Sequence, residues 1–432
     1  MSLPTTASSQ RLKSEFFTAA KLGLGRAYLL AQAHPNVDFS AAIIRAALKN
    51  YAYDGQCESS RAHYLFALYQ QSKQQARIRR AVLRGLAAER EDTWTLTQLV
   101  ELAFLFAQKG DAAARAALYH QFSHNPTDAD WVGAKEIIAL DGLAGIQRVA
   151  QHFGRALAKD PTNWQDSYLL QSFQERNPAV DVWEELRQIA VQDADVGRYL
   201  QNVEATRAET AARLPSTREP LVLEEAILVP GQRALPFRVR RNLQPSQLQW
   251  LAEQLITEKR PAILENLLSV FEYTKFPLAY HPILRLAQRK PNGRYRLAEL
   301  ATGAVAFLHA PEIRNFALQR LARTTRPAQY TSILRSNYQA GDATLLVAVI
   351  DRFHQGHIIE QLAVSYIDIY RDNPTPECAL PLVALYRKMT CGIHRADVVR
   401  LLIENNALPA WLNEELPFDS SDETQSLYQL LS

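Results

Sequence analysis

The chain has 432 residues and a formal net charge of +3, with 47% hydrophobic and 22% charged residues. That composition excludes a disordered chain, and the charge falls short of the strongly basic balance of a nucleic-acid domain. No window approaches ~18 uninterrupted apolar residues, which excludes a membrane-spanning helix. Glycine is scarce at 16 residues, while alanine, leucine, glutamine and arginine are plentiful, which favours helix over sheet. The three cysteines, Cys57, Cys378 and Cys391, are odd in number and widely spaced. No disulfide framework follows, and a reducing, cytoplasmic setting is expected.

Residues 1–10 are polar, lack the apolar core of a secretory leader, and read as a tail. A helix is predicted over 14–33, ending before His34-Pro35-Asn36, with Gly23-Leu24-Gly25 inside it. Tyr51–Arg61 reads as a turn at Asp54-Gly55, with Ser59 or Ser60 capping the next helix. Ile78, Ala81, Val82 and Leu86 then mark the apolar side of a helix whose other side carries Arg77, Arg80 and Arg84. After Asp92, Leu96, Leu99, Val100, Ala103 and Phe106 fall on one face of a 3.6-residue period. Lys109-Gly110-Asp111 supplies glycine for a C-cap and aspartate for the next N-cap, and Ala114, Ala117, Leu118 and Phe122 repeat the spacing.

Helical pairs continue to about residue 214. Within 215–245 the pattern breaks: Leu221–Val229 and Leu235–Arg240 have strand-like composition around Pro230-Gly231-Gln232, so a hairpin and an extended linker both fit. Beyond it, Leu297, Leu300, Ala301, Ala304, Val305 and Leu308 form a stripe. Pro311 interrupts it, and Ile313, Phe316, Ala317 and Leu321 form the partner stripe. Leu346 to Phe353 and Ile359 to Tyr370 make a further pair, and Asn373-Pro374-Thr375-Pro376 breaks the chain again. The pairs recur about every 30 to 37 residues, a pitch in the range of helical solenoids. The expected division is a tail (1–10), an N-terminal helical-repeat arm (11–214), the extended or hairpin insertion (215–245), a C-terminal repeat arm (246–410) and an acidic cap (411–432).

The segments HAPEIRNFALQRLA (His309–Ala322) and RADVVRLLI (Arg395–Ile403) resemble the second helix of a HEAT repeat, with its apolar beat around a central arginine. AFLFAQKGDAAARAALYHQFSHNP (Ala103–Pro126) is instead similar to a tetratricopeptide unit, with Gly110-Asp111 at the inter-helix turn. Either resemblance implies an all-α fold, an α-α superhelix presenting a curved surface to protein partners. Some HEAT-like proteins bind nucleic acid, and a few are DNA-repair glycosylases.

Chemistry-bearing motifs are sparse. No GxxxxGK[ST] loop, GxSxG elbow or HExxH helix is present, so no catalytic residue and no cofactor is expected. Cys391-Gly392-Ile393-His394 has the spacing of half a metal site. Zinc usually needs two such halves, and Cys57 and Cys378 offer no matching pair, so no metal is expected. Cys391 then reads as a small packed hydrophobe, and His394 as a residue that begins or caps a helix. His63, six residues after Cys57, is poorly placed to activate that thiol.

Two arginine clusters are the candidate binding residues. Arg77, Arg80 and Arg84 line one helical stripe that could grip phosphates or an acidic segment. Arg233, Arg238, Arg240 and Arg241 sit in the insertion, where recognition residues often lie. The sequence thus predicts a non-enzymatic scaffold for an unidentified protein partner, with no membrane contact. A nucleic-acid-binding solenoid, glycosylase-like in one version, is the alternative, and oligomeric state is not specified.

Overall fold

The computed structural model describes residues 6–430, apart from 59, 126–128, 130, 164, 213–222, 224–226, 230–234, 236–238, 241 and 291–292. Among the described residues the fold is all-α: 71% helical, in about 25 helices, with no strand. Among the described residues no helix is long and apolar enough to cross a membrane. The chain divides into two compact units, Met1–Arg218 with Phe418–Ser420, and Glu219–Pro417 with Ser421–Ser432.

In the first unit, the single helix expected over 14–33 is two helices, Thr6–Leu22 and Arg26–Ala33. The break is a Schellman turn. Gly23 adopts φ +77°, its N–H donates to Ala20 O (3.3 Å), and Leu24 N–H donates to Ala19 O (3.0 Å). A side chain at Gly23 is also blocked, since a Cβ there would lie 2.1 Å from Ser420 Oγ. Ser420 N–H donates to Gly23 O at 2.8 Å, and Phe418 stacks on Tyr28 with ring centroids 4.1 Å apart.

The capping read from the sequence at Gly110-Asp111 is present, and Asp92 caps the preceding helix in the same way. Asp92 Oδ1 accepts from Trp94 N (3.0 Å) and Thr95 N (3.2 Å), starting Thr93–Gln108. Gly110, at φ +87°, closes that helix, and Asp111 accepts from Ala114 N (3.0 Å) to start Ala112–Ser123. Asp54-Gly55 leads into a single helical turn, Gly55–Glu58, and Ser60 Oγ accepts from Ala62 N (3.1 Å) at the next helix. The apolar stripes face inward: Leu96, Leu99, Ala103 and Phe106 are all buried.

The second unit opens on residues the sequence assigned to the insertion. Most of that stretch, including the core of the expected hairpin and Arg233, Arg238 and Arg241, lies outside the described residues. Ile227 and Leu235 are buried in the unit's core with Leu251, Leu267, Phe271 and Phe276, and Asn266 Nδ2 donates to Ile227 O at 3.2 Å. Helices Pro245–Thr257, Pro261–Phe271, His281–Ala287, Leu297–Val305 and Pro311–Leu321 follow. Proline at the first helical position starts three of them, as its missing N–H permits. Next come Pro327–Thr331 with the 3₁₀ turn Ser332–Arg335, then Asp342–Asp351, Gly356–Asp372, Ala379–Tyr386 and Gly392–Glu404. Pro261–Phe271 packs on Leu297–Val305, Pro327–Thr331 on Gly356–Asp372, and Gly356–Asp372 on Gly392–Glu404, each pair skipping one element or more of the chain. Of the acidic residues in the expected cap, Glu415 of this unit and Asp419 of the first are buried.

Candidate functional site: a charged groove in the second unit

A concavity in the second unit has a volume of about 1150 Å³. Its walls come from the end of Pro261–Phe271, from Leu297–Val305, from the Pro327–Arg335 segment and from one stripe of Gly356–Asp372. Gly356–Asp372 contributes His357, Gln361 and Asp368. These fall at i, i+4 and i+11, so they share a stripe, while Ile359, Leu362, Ala363 and Tyr366 are buried on the other side. Val364, exposed at 47%, lies on the same outer stripe by spacing.

Polar ties between walls hold the groove. Gln329 Nε2 donates to Glu299 O at 3.2 Å, and Ser365 Oγ to Ala328 O at 3.2 Å. Arg335 pairs with Asp372 and, at 3.6 Å, with Asp368. Its guanidinium lies 5.6 Å from the Phe307 ring centroid. Asn373 Nδ2 donates to Arg335 O at 2.8 Å. Arg335 is therefore chiefly structural, whereas Arg326 and His357 are exposed on the wall.

At the other end stand Glu272 and Tyr273, the latter 49% exposed. Arg240 supports them. Its Nη1 donates to Ser269 O (2.9 Å), and its guanidinium lies 4.7 Å from the Tyr273 ring centroid. Burial raises the Glu272 carboxyl above its ordinary pKa, against the pull of Arg296 and Arg240. Gly303 gives this carboxylate room, since a Cβ there would lie 3.1 Å from Glu272 Cγ.

A recess of about 500 Å³ adjoins the groove and shares Glu299, Thr325, Arg326 and Gln329 with it. It is lined by Arg289, Arg296, Arg320 and Arg326 with Tyr295 and Tyr330. The sequence reading missed this cluster, because its arginines come from two loops and a helix end whose packing no local period reveals. The weak available signal was arginine recurring near two successive pair starts, Arg294 and Arg326.

The arginines singled out from the sequence divide. Arg77, Arg80 and Arg84 share the exposed stripe of the first unit's Gln75–Ala88 helix, opposite buried Ile78, Val82 and Leu86. Arg77 is not idle: Nη1 donates to Ser40 Oγ (3.1 Å) and lies 3.7 Å from Asp38. Arg79 beside them forks onto Asp111. Of the insertion set, Arg240 is described and reaches the groove. Cys57 is exposed, and its N–H donates to Asp54 Oδ1 (3.2 Å) within the turn. Cys391 is the N-cap of Gly392–Glu404, so His394 lies in the first turn rather than beginning the helix. Glu360, from Gly356–Asp372, meets both.

The chain matches no family model, no curated protein and no solved structure. What fold and site define is thus a class, an all-helical protein with a charged groove walled by successive helices.

Proposed function

We propose that this protein is a non-enzymatic scaffold whose helices stack as a HEAT-like superhelix and whose second-unit groove holds a segment of a protein partner. The observation that carries the reading is the groove itself. Its volume of about 1150 Å³ is at or beyond the ~300–1,000 Å³ of ordinary small-molecule sites. Its walls mix both charges with Tyr273, Phe307 and Ile358, a surface suited to a polypeptide carrying both charges and an apolar anchor. Packing between successive helices supports the superhelix, since stacked pairs bury what one pair cannot.

The test is a photo-crosslinking amino acid placed at Tyr273 or His357 in the full chain, in cells. A discrete protein adduct is expected, and Arg326→Glu should abolish it while leaving the circular dichroism unchanged. No adduct at either position under several growth conditions, or an adduct indifferent to Arg326→Glu, would sink the reading.

Nucleic-acid binding is a second reading, favoured by the recess of Arg289, Arg296, Arg320 and Arg326 beside two tyrosines. It predicts retardation of single-stranded DNA or RNA at low salt that fades as salt rises and weakens with Arg289→Ala plus Arg320→Ala. Absence of any shift at low salt eliminates it. Arg296 pairs with Glu299, which reduces the positive field available there.

A further inference from the structure

Where the Gly356–Asp372 helix crosses the start of Gly392–Glu404, three groups with lone pairs converge. Sγ of Cys391, a nitrogen of His394 and a carboxylate oxygen of Glu360 lie within 4.8 Å of one another. Glu360 and Cys391 are buried, at 1% and 4% exposure, while the His394 side chain keeps 25%. The carboxylate is divided between two tasks. Oε1 accepts from Thr390 N (2.7 Å), Cys391 N (3.0 Å) and Thr390 Oγ1 (3.3 Å). Oε2 is left facing His394 Nδ1 at 3.1 Å. Three donors thus fix the carboxylate and aim its second oxygen at the imidazole, the outer-shell support a metal-ligating carboxylate requires.

We propose that Glu360, Cys391 and His394 form a three-ligand site for a zinc-type divalent ion. Thiolate, imidazole and carboxylate together select a borderline ion over calcium or magnesium, which take oxygen ligands. Tetrahedral zinc with bonds of about 2.0–2.3 Å sets its ligand atoms roughly 3.3–3.7 Å apart. The 3.1 Å carboxylate–imidazole separation and the 4.8 Å limit on the set bracket that spacing, so small side-chain rotations suffice. The charges close: one thiolate and one carboxylate neutralise the dication, and a neutral imidazole completes the set. Binding releases the thiol proton and any proton on the imidazole. Three protein ligands leave a fourth position for water, on the side where His394 is exposed. Without an ion, Glu360 Oε2 and His394 Nδ1 stay in hydrogen-bond contact at 3.1 Å. The cluster therefore holds together in either state.

The test uses the full chain carrying Cys57→Ser, which removes the exposed thiol. Cobalt(II) alone should titrate in at one equivalent per chain with a thiolate-to-cobalt absorption in the near ultraviolet, and zinc should displace it. Glu360→Gln keeps an oxygen to accept from Thr390 N and Cys391 N but loses the anionic ligand. It should weaken cobalt binding by about tenfold or more, and Cys391→Ser should erase the absorption band. Lack of a near-ultraviolet band in the parent chain, or binding equally tight in Glu360→Gln, overturns the site. Circular dichroism of Glu360→Gln keeps loss of binding distinct from loss of fold.

Discussion

Glu136 shows how one side chain's surroundings reverse its expected contribution. It sits in the first turn of Ala134–Asp141, where a negative charge is ordinarily favoured. Burial, aided by the charge of Glu101, nevertheless raises its pKa to about 7. The folded state thus holds the proton more tightly than the unfolded chain, whose carboxyl titrates near 4.5. Stability from this group is fully present below pH ~4.5 and is lost as pH rises through ~7. Glu136→Gln cannot ionise. It should therefore exceed the parent by ~1–3 kcal/mol at pH 8 and match it near pH 4, by urea unfolding at each pH. Equal midpoints at pH 8 would show that the carboxylate is better solvated than its packing implies. Nothing in the local sequence announces this shift, because Glu101 and the burying atoms arrive by tertiary packing. The cap at Asp111 was legible for the opposite reason, as its partner lies three residues away.

Between elements, close approach decides the sign of a substitution that local propensity would misjudge. Gly154 lies within Leu143–Lys159, where glycine costs a helix about 1 kcal/mol relative to alanine. Yet a Cβ there would lie 1.9 Å from Asp195 O and 2.5 Å from its carbonyl carbon, and Arg198 Nη1 donates to Gly154 O at 2.8 Å. Backbone cannot yield as a flexible side chain can. Gly154→Ala should therefore lose about 1–3 kcal/mol by forcing the two helices apart, seen as a lower urea midpoint. Gly356→Ala, with nothing within 4 Å of its Cβ, is the control and should be neutral or stabilising. A fall in both, or in neither, would contradict this account. The Gly23 break was read as continuous helix for a related reason. Glycine is tolerated in helices, and the residue that crowds this one, Ser420, lies at the far end of the chain.

Across a whole unit, packing passes from one helix to its near neighbours in the chain, so disturbance should spread by proximity. In the second unit, Arg314 forks onto Asp342 at 2.6 and 2.7 Å with side chains 14% and 7% exposed. It also donates to Asn337 O at 2.7 Å. Buried Asn337 in turn donates to Leu308 O and Ile333 O and accepts from Ala310 N. Asp342→Ala strands a buried guanidinium and should cost about 3–5 kcal/mol. Hydrogen exchange should quicken most in Pro311–Leu321 and Asp342–Asp351 and least in Asp422–Gln429. Uniform acceleration across the unit would show one indivisible core instead.

The residues by themselves determined an all-helical chain, the main helix starts and stops, and the faces that turn inward. Those depend on caps, prolines and apolar spacing within a turn or two of the backbone. Only the tertiary structure decided which helix walls meet as a groove, which arginines gather at Arg326, and that Glu360 faces Cys391 and His394. Such meetings are lateral contacts between helices some thirty residues apart, as Glu360 and His394 are (34 residues). The 3.6-residue period says which face of a helix is apolar, but not which turn of its neighbour that face will meet.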